Sequence, residues 1–219
     1  MNDYSLYLHR NSYAMTTHLL LEELGTKFEA IWFNVHQPDT FPDGFLQLNP
    51  NAKVPVLITP HGPVYETAAT LLYLSEHHDN QFMPTDNGTG RAQAQQWLIY
   101  LMSTFQPEVL IQFNVERYFP DDKVMQEALK EASRRELKFI WNVIDHALTP
   151  GPYFIGEQYT ICDILFLMQA IWTENQPADL SIYPNALRMM KTALKRPAVQ
   201  RILEIHDIRH LANLELLVA

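Results

Sequence analysis

The rhythm of apolar and polar positions changes several times along the chain, and those changes divide it. Leu6 to Leu8 predicts a short strand, and Thr16 to Leu24 has apolar residues at helical spacing, stopped by Gly25. Phe28 to Val35 alternates with aromatic and branched residues at Phe28, Ile31, Phe33 and Val35, the pattern of a second strand. A loop rich in Pro, Asp and Gly follows from Gln37 to Gly44, then a short helical piece at Phe45 to Leu48 and the Asn49-Pro50 break. Val54 to Ile58 and Val64-Tyr65 flank the turn residues His61-Gly62-Pro63 and predict a hairpin. Glu66 to Glu76 then reads as a helix whose apolar positions are Ala69, Leu72 and Tyr73. The order βαβ then ββα predicts an α/β domain in which one crossover joins parallel strands and a hairpin closes the sheet.

Between Asp79 and Gly90 the chain turns polar and rich in breakers, which predicts a domain boundary: residues 1–80, a linker at 81–90, and a second domain at 91–219. Beyond Arg91 the periodicity is helical throughout, at Ala92 to Tyr118, Lys123 to Leu148, Thr160 to Thr173, Asn185 to Leu194 and Ala198 to Ile205. The fold class is therefore α/β followed by all-α.

Composition narrows the function classes. A net charge of −9 over 219 residues, with no basic cluster larger than Lys195-Arg196 or Arg134-Arg135, argues against nucleic acid and anionic membrane as partners. No apolar run approaches the roughly 20 residues that span a bilayer, and Met1 to Arg10 lacks the apolar core of a secretory signal. Cys162 is the single cysteine, so no internal disulfide or cysteine metal cluster is expected, and a reducing cytoplasm fits best. Cys162 is flanked by apolar residues and is expected to be buried and inert.

Two segments carry a specific pattern. Asn49-Pro50-Asn51-Ala52-Lys53-Val54-Pro55-Val56-Leu57, followed by Val64-Tyr65-Glu66-Thr67-Ala68-Ala69-Thr70-Leu71-Leu72-Tyr73-Leu74, resembles the signature of the glutathione S-transferase family. Leu21 to Gly25 and Phe154-Ile155-Gly156 leading into Thr160 to Asp163 are similar to that family as well. The resemblance covers the whole chain. It implies a thioredoxin-like first domain, a helical second domain, glutathione as co-substrate with no metal, a role in detoxification, and a homodimer.

The resemblance also implies roles for individual residues. Val54 precedes Pro55, whose peptide is cis in the family, and its backbone N–H and C=O would pair with the cysteinyl unit of glutathione as an added strand would. Thr67 and the helix start would hold the γ-glutamyl carboxylate, and Glu66 would accept from the ligand ammonium. Lys53 and Gln37 are candidates for the other carboxylate. Each residue also has a plain structural reading, with Thr67 a helix cap, Glu66 a dipole complement and Pro55 a loop end; their combination at this spacing favours the ligand site.

Thiol activation belongs to the loop His9-Arg10-Asn11-Ser12-Tyr13-Ala14. Counting back from Gly25, Ser12 falls at the catalytic hydroxyl of serine-type members, while another alignment puts Tyr13 in the slot; Asn11 is a third donor. Ser12 also suits the role of N-cap to the first helix. The absence of cysteine there argues against the cysteine-dependent branches, and the family's following Pro is replaced by Ala14 and Met15. Arg10 could add positive potential, and His9 is expected to be structural. The electrophile is expected between the domains, with Ser103, Phe105, Gln106, Leu110 and Phe113 as wall candidates; Leu211 to Val218 would cover that site or the subunit contact, or simply finish the core. Thr160-x-x-Asp163 reads as a structural helix cap. Two functions stay open: a transferase acting on small apolar electrophiles, and a non-catalytic module that keeps the fold and the glutathione frame.

Overall fold

The computed structural model describes residues 3–85, 88–173 and 180–208. They divide into two compact units: residues 3–83 together with 196–208, and the stretch between them.

The first unit is built on a four-stranded sheet of order β2-β1-β3-β4. Strand β1 (Tyr4–Leu8) buries Tyr4, Leu6 and Leu8 on one face. It pairs in parallel with β2 (Phe28–Trp32) through the crossover helix α1 (Ala14–Leu24), and antiparallel with β3 (Val56–Thr59), which turns back into β4 (Gly62–Tyr65). Residues Ala14 through Leu21 of α1 are all buried, as expected of a helix covered on every side. The helix stops at Gly25, whose φ of 63° lets its N–H and that of Thr26 fold back onto carbonyls of the last turn.

Several expected boundaries move: β1 and α1 each begin two residues earlier than the pattern indicates, and β3 runs Val56–Thr59 rather than Val54–Ile58. The second strand was expected to reach Val35 but ends at Trp32, because Asn34 accepts the His36 N–H through its side chain and turns the chain into a 3₁₀ segment at Pro38–Thr40. The hairpin return starts at Gly62 rather than Val64, since Thr59 donates to the Gly62 carbonyl and accepts from the His61 N–H, closing the turn early. A four-residue helix, α2 (Phe45–Leu48), lies where the pattern puts it.

The helix α3 (Thr67–Glu76) corrects a face. The residues it buries are Thr67, Thr70, Leu71, Leu74 and Ser75, whereas Ala69, Leu72 and Tyr73 are half-buried. Thr and Ser read as polar in the sequence, so the apolar count selects the wrong stripe.

Helix α9 (Pro197–Ile205) groups with this unit. Arg196 grips Glu23 through two bonds of 2.6 and 2.8 Å, Arg201 donates to Glu22 at 2.9 Å, and Arg10 donates to the Ile205 carbonyl while lying over the Trp32 ring. Beneath these, His18 Nδ1 and His206 Nε2 meet at 3.0 Å in a site that leaves both rings at most 3% exposed.

Among the described residues, the second unit is helical apart from turns, loops and isolated bridges at Tyr153, Ile155, Gly156 and Gln158. The stretch expected as one helix from Ala92 is α4 (Gly90–Tyr100), a π-helical segment at Leu101–Phe105, α5 (Gln106–Asn114) and a 3₁₀ turn at Val115–Arg117. Pro107 accounts for the widened turn. It has no N–H to give and its ring crowds the carbonyl four residues back, and the Gln106 N–H accordingly bonds Leu101 five residues back. Helix α6 (Lys123–Ala147) is capped by Asp122, which accepts the Val124 and Met125 N–H groups. Helix α7 (Ile161–Thr173) supplies the core, with Phe166 packed among Phe105, Trp141 and Phe154, and α8 (Pro184–Leu194) follows.

The cap of α7 is more strongly built than the sequence indicates. Asp163 is fully buried and accepts from the Phe154 N–H at 2.9 Å, the Thr160 N–H at 2.7 Å and the Thr160 hydroxyl at 2.8 Å. Thr160 thus donates its hydroxyl to the carboxylate, where the expected capping box has the threonine oxygen accept from the backbone. Cys162 is buried with its Sγ 3.0 Å from the Ala94 carbonyl, and desolvation with the neighbouring Asp163 charge pushes its thiol far above the ordinary range. It is an inert packing residue. No helix among the described residues is long and apolar enough to cross a membrane.

Candidate functional site

Sheet topology brings the candidate ligand residues of the first unit to one end of the sheet. The antiparallel register pairs Tyr7 with Val56 and Val56 with Tyr65, so the end of β1, the start of β3 and the end of β4 coincide. Parallel β2 ends there too, with Trp32 opposite Leu8. The loop at 9–13, the Val54-Pro55 turn, the Glu66-Thr67 start of α3 and the loop bearing Gln37 all emerge at this edge. Helices α1 and α3 both begin there, so their positive ends share one side of the unit.

The Val54-Pro55 peptide is cis. Val54 is half-buried, and among the described residues its N–H and C=O have no hydrogen-bond partner. The turn is held by Asn49, a residue to which the sequence reading gave no separate task. Asn49 is 2% exposed, donates its side-chain N–H to the Lys53 carbonyl at 2.9 Å, and accepts the Asn51 N–H at 3.0 Å. Its signal was available as an amide beside a proline break, a residue type that bonds its own turn.

Glu66 is exposed and has φ 72° and ψ 123°, a conformation that side-chain-bearing residues avoid. No side chain caps α3, so its first-turn N–H groups lack intrahelical acceptors. Thr67 is 4% exposed, and its hydroxyl makes no bond among the described residues. Strained cap, open N–H groups and an uncommitted hydroxyl together can receive an anion. Lys53 and Gln37 are exposed, and their side chains have no bonded partner among the described residues.

The thiol-activating loop differs from its expected form. Tyr13, just before α1, has helical φ and ψ and its side chain makes no capping bond; the hydroxyl that meets the start of the helix is that of Ser12. Ser12 accepts the Ala14 N–H at 3.3 Å, as a cap would, and also donates its hydroxyl to the His9 carbonyl at 2.8 Å, closing the loop on itself. His9 bonds the Phe33 carbonyl through Nδ1 at 3.0 Å, the structural role expected of it. Asn11 is exposed at φ 53° and Tyr13 is half-buried. The Arg10 guanidinium is engaged with α9 and Trp32, as described above.

Of the wall candidates in the helical unit, Phe105 is fully buried against Trp141 and Phe166 and belongs to that unit's core. Ser103 is exposed with its hydroxyl on the Ile99 carbonyl, Gln106 and Leu110 are half-buried, and Phe113 is exposed. Leu211 to Val218 lies outside the described residues. No cluster of three or more His, Cys, Asp or Glu among the described residues could hold a metal ion.

A mixed sheet of this order, with a cis-prolyl turn beside an uncapped helix start and a helical unit following in the chain, defines a thioredoxin-like domain with an all-α companion. Residues 2–76 match the glutathione S-transferase N-terminal domain. The disulfide-bond oxidoreductase YghU of Escherichia coli strain K12 is 28% identical over 200 residues, covering 84% of this chain and 68% of that protein. Among solved structures, the ternary complex of BphK, a bacterial transferase of this family, superposes with a TM-score of 0.82 at 24% identity, over 93% of this chain and 100% of that one. A sphingomonad glutathione S-transferase solved with glutathione gives a TM-score of 0.81 at 23% identity, over 93% and 99% of the two chains. Residues 2–76 thus form a glutathione S-transferase N-terminal domain, and the chain as a whole is similar in sequence and fold to bacterial-type glutathione S-transferases.

Proposed function

We propose that the protein is a glutathione transferase that binds glutathione along one edge of its sheet and activates the thiol for attack on small apolar electrophiles. The observation that carries this reading is the convergence, at that edge, of an unpaired strand-like backbone at Val54, the uncapped start of α3, and the loop holding Ser12. Val54 pairs with the cysteinyl backbone as an extra strand. The α3 N–H groups and the Thr67 hydroxyl take the γ-glutamyl carboxylate, Glu66 takes the ammonium, and Lys53 with Gln37 takes the glycyl carboxylate. Relatives solved with glutathione support the choice of ligand. The family resemblance supports a homodimer and cytoplasmic action.

A free thiol ionises near roughly pH 8.5, so the protein has to favour the thiolate. Ser12 does so by turning its O–H from the His9 carbonyl to the sulfur, an exchange favoured because a charged acceptor binds a donor more strongly than a neutral one; Tyr13 and Asn11 are the alternative donors. Cys162 takes no part, being buried with a suppressed thiolate. The engagement of Ser12 with His9 also favours a second reading, in which the site binds glutathione without activating it.

Glutathione titration by calorimetry, thiolate absorbance and turnover of an aryl halide separate the two. Ser12→Ala is expected to lower turnover about 10- to 100-fold with the glutathione Kd changed less than about threefold, since the hydroxyl acts on the thiolate more than on the bound tripeptide. Absence of binding by the unmodified protein overturns both readings, binding without thiolate selects the second, and an unchanged rate in Ser12→Ala moves the donor to Tyr13 or Asn11.

A further inference from the structure

Two buried threonines on facing helices have no place in the ligand contacts above. Thr17 in α1 and Thr70 in α3 are each 0% exposed, and their hydroxyl oxygens are 2.7 Å apart. Thr70 also donates to the Thr67 carbonyl at 2.8 Å. Each hydroxyl has one hydrogen. With the Thr70 hydrogen committed to Thr67, the hydrogen between the pair comes from Thr17. The bonds therefore run one way, from Thr17 to Thr70 to the first residue of α3.

We infer that the Thr17–Thr70 hydroxyl pair is a positioning device that fixes the span between the two ends of the ligand site. This inference rests on the glutathione reading. Thr17 lies one turn inside α1 from the Ser12-Tyr13 loop, where the thiol sits, and Thr70 lies one turn inside α3 from Thr67, where the γ-glutamyl carboxylate sits. One ligand must reach both ends. The rest of the buried α3 stripe includes Leu71 and Leu74, and apolar packing of that kind is non-directional and tolerates sliding. A chain of two hydrogen bonds has a set length and direction. Valine would fill either position with the same shape and without burying a hydroxyl, so burial alone gives no reason for threonine. Because both hydroxyls are satisfied, the pair avoids the cost of orphaned polar groups while restricting how α3 sits against α1. Misplacement by about 1 Å at a reacting centre is enough to lose much of the rate.

The test uses the full chain with Thr17→Val, Thr70→Val, the double variant and Thr70→Ser, comparing glutathione affinity, aryl halide turnover and denaturation midpoint. Thr70→Val is expected to raise the glutathione Kd about tenfold and Thr17→Val about threefold, with the double variant no worse than Thr70→Val because the two act through one chain. Thr70→Ser keeps the hydroxyl and is expected to stay within about twofold of the unmodified protein, which a role in packing the methyl group would not produce. Both valine variants binding within twofold of the unmodified protein, or Thr70→Ser as weak as Thr70→Val, overturns the inference. Should Thr70→Val fail to fold, Thr17→Val decides, since it leaves the Thr70–Thr67 bond in place. An unmodified protein that does not bind glutathione overturns the function and this inference together, whereas binding that the valines do not disturb overturns this inference alone.

Discussion

Asp163→Ala is expected to destabilise the protein by ~4 kcal/mol, because it strands two buried backbone N–H groups and a hydroxyl, each costing about 1–3 kcal/mol when unsatisfied. The groups are the Phe154 N–H, which ties the preceding loop to α7, and the N–H and hydroxyl of Thr160. Against a total stability of roughly 5–15 kcal/mol, that loss is enough to leave much of the protein unfolded at moderate temperature. Asp163→Asn retains one carbonyl acceptor and is expected to lose about half as much. Urea titration of both variants followed by tryptophan fluorescence reads the difference, and equal stability of Asp163→Ala and the unmodified protein would sink the account. Burial raises the Asp163 carboxyl to about 6, against the pull of its hydrogen bonds. Since that value exceeds the unfolded one, the folded state keeps a proton that the unfolded chain releases, and this group's contribution falls as pH rises from about 4 to 6.

The His18–His206 pair has the opposite sign and the larger effect. Burial pushes His18 down to about 4, with Glu22 opposing, and His206 down to about 3, with His18, Arg10 and His9 adding repulsion. Both folded values lie below the unfolded 6.5, so below that pH the unfolded chain takes up protons that the folded pair refuses. Stability present at neutral pH is therefore lost as pH falls from about 6.5 towards 4, by about 3–6 kcal/mol for two coupled rings at roughly 1.4 kcal/mol per unit. The tertiary circular dichroism of the protein is expected to collapse between about pH 5 and 4, where the unfolded chain has taken up the protons that the folded pair still refuses. His206→Phe, which removes one titrating group while filling a similar volume, is expected to move that collapse to lower pH. A collapse at the same pH in His206→Phe would assign acid sensitivity to other groups.

What was legible in the chain is the part governed by local rules. The hairpin, the stop at Gly25 and the helical character after Arg91 follow from breakers and periodicity, while the cis peptide at Pro55 was implied only by the Asn49–Glu76 resemblance, which also pointed to the domain family that residues 2–76 match. The failures have a common cause: polar side chains that bond within the protein where the sequence offers no way to see the partner. Thr67, Thr70 and Ser75 counted as polar and turned out to face the interior, Ser12 looked like a cap and also binds a carbonyl three residues back, and Asn49 looked like a loop residue and proved to brace the cis turn. The partners of α9 were equally hidden, since Glu22 and Glu23 meet Arg201 and Arg196 across most of the chain.

The grouping of α9 with the sheet has a consequence for how the chain is made. Residues 3–83 leave the ribosome long before residues 196–208, so His18, Glu22 and Glu23 wait for partners while the whole helical unit is synthesised. Domains ordinarily fold as units in the order of their emergence. Here the unit that starts first is closed only after residues 84–195 of the other have been made, and a nascent chain cut short before Arg196 leaves His18, Glu22 and Glu23 of α1 without their α9 partners.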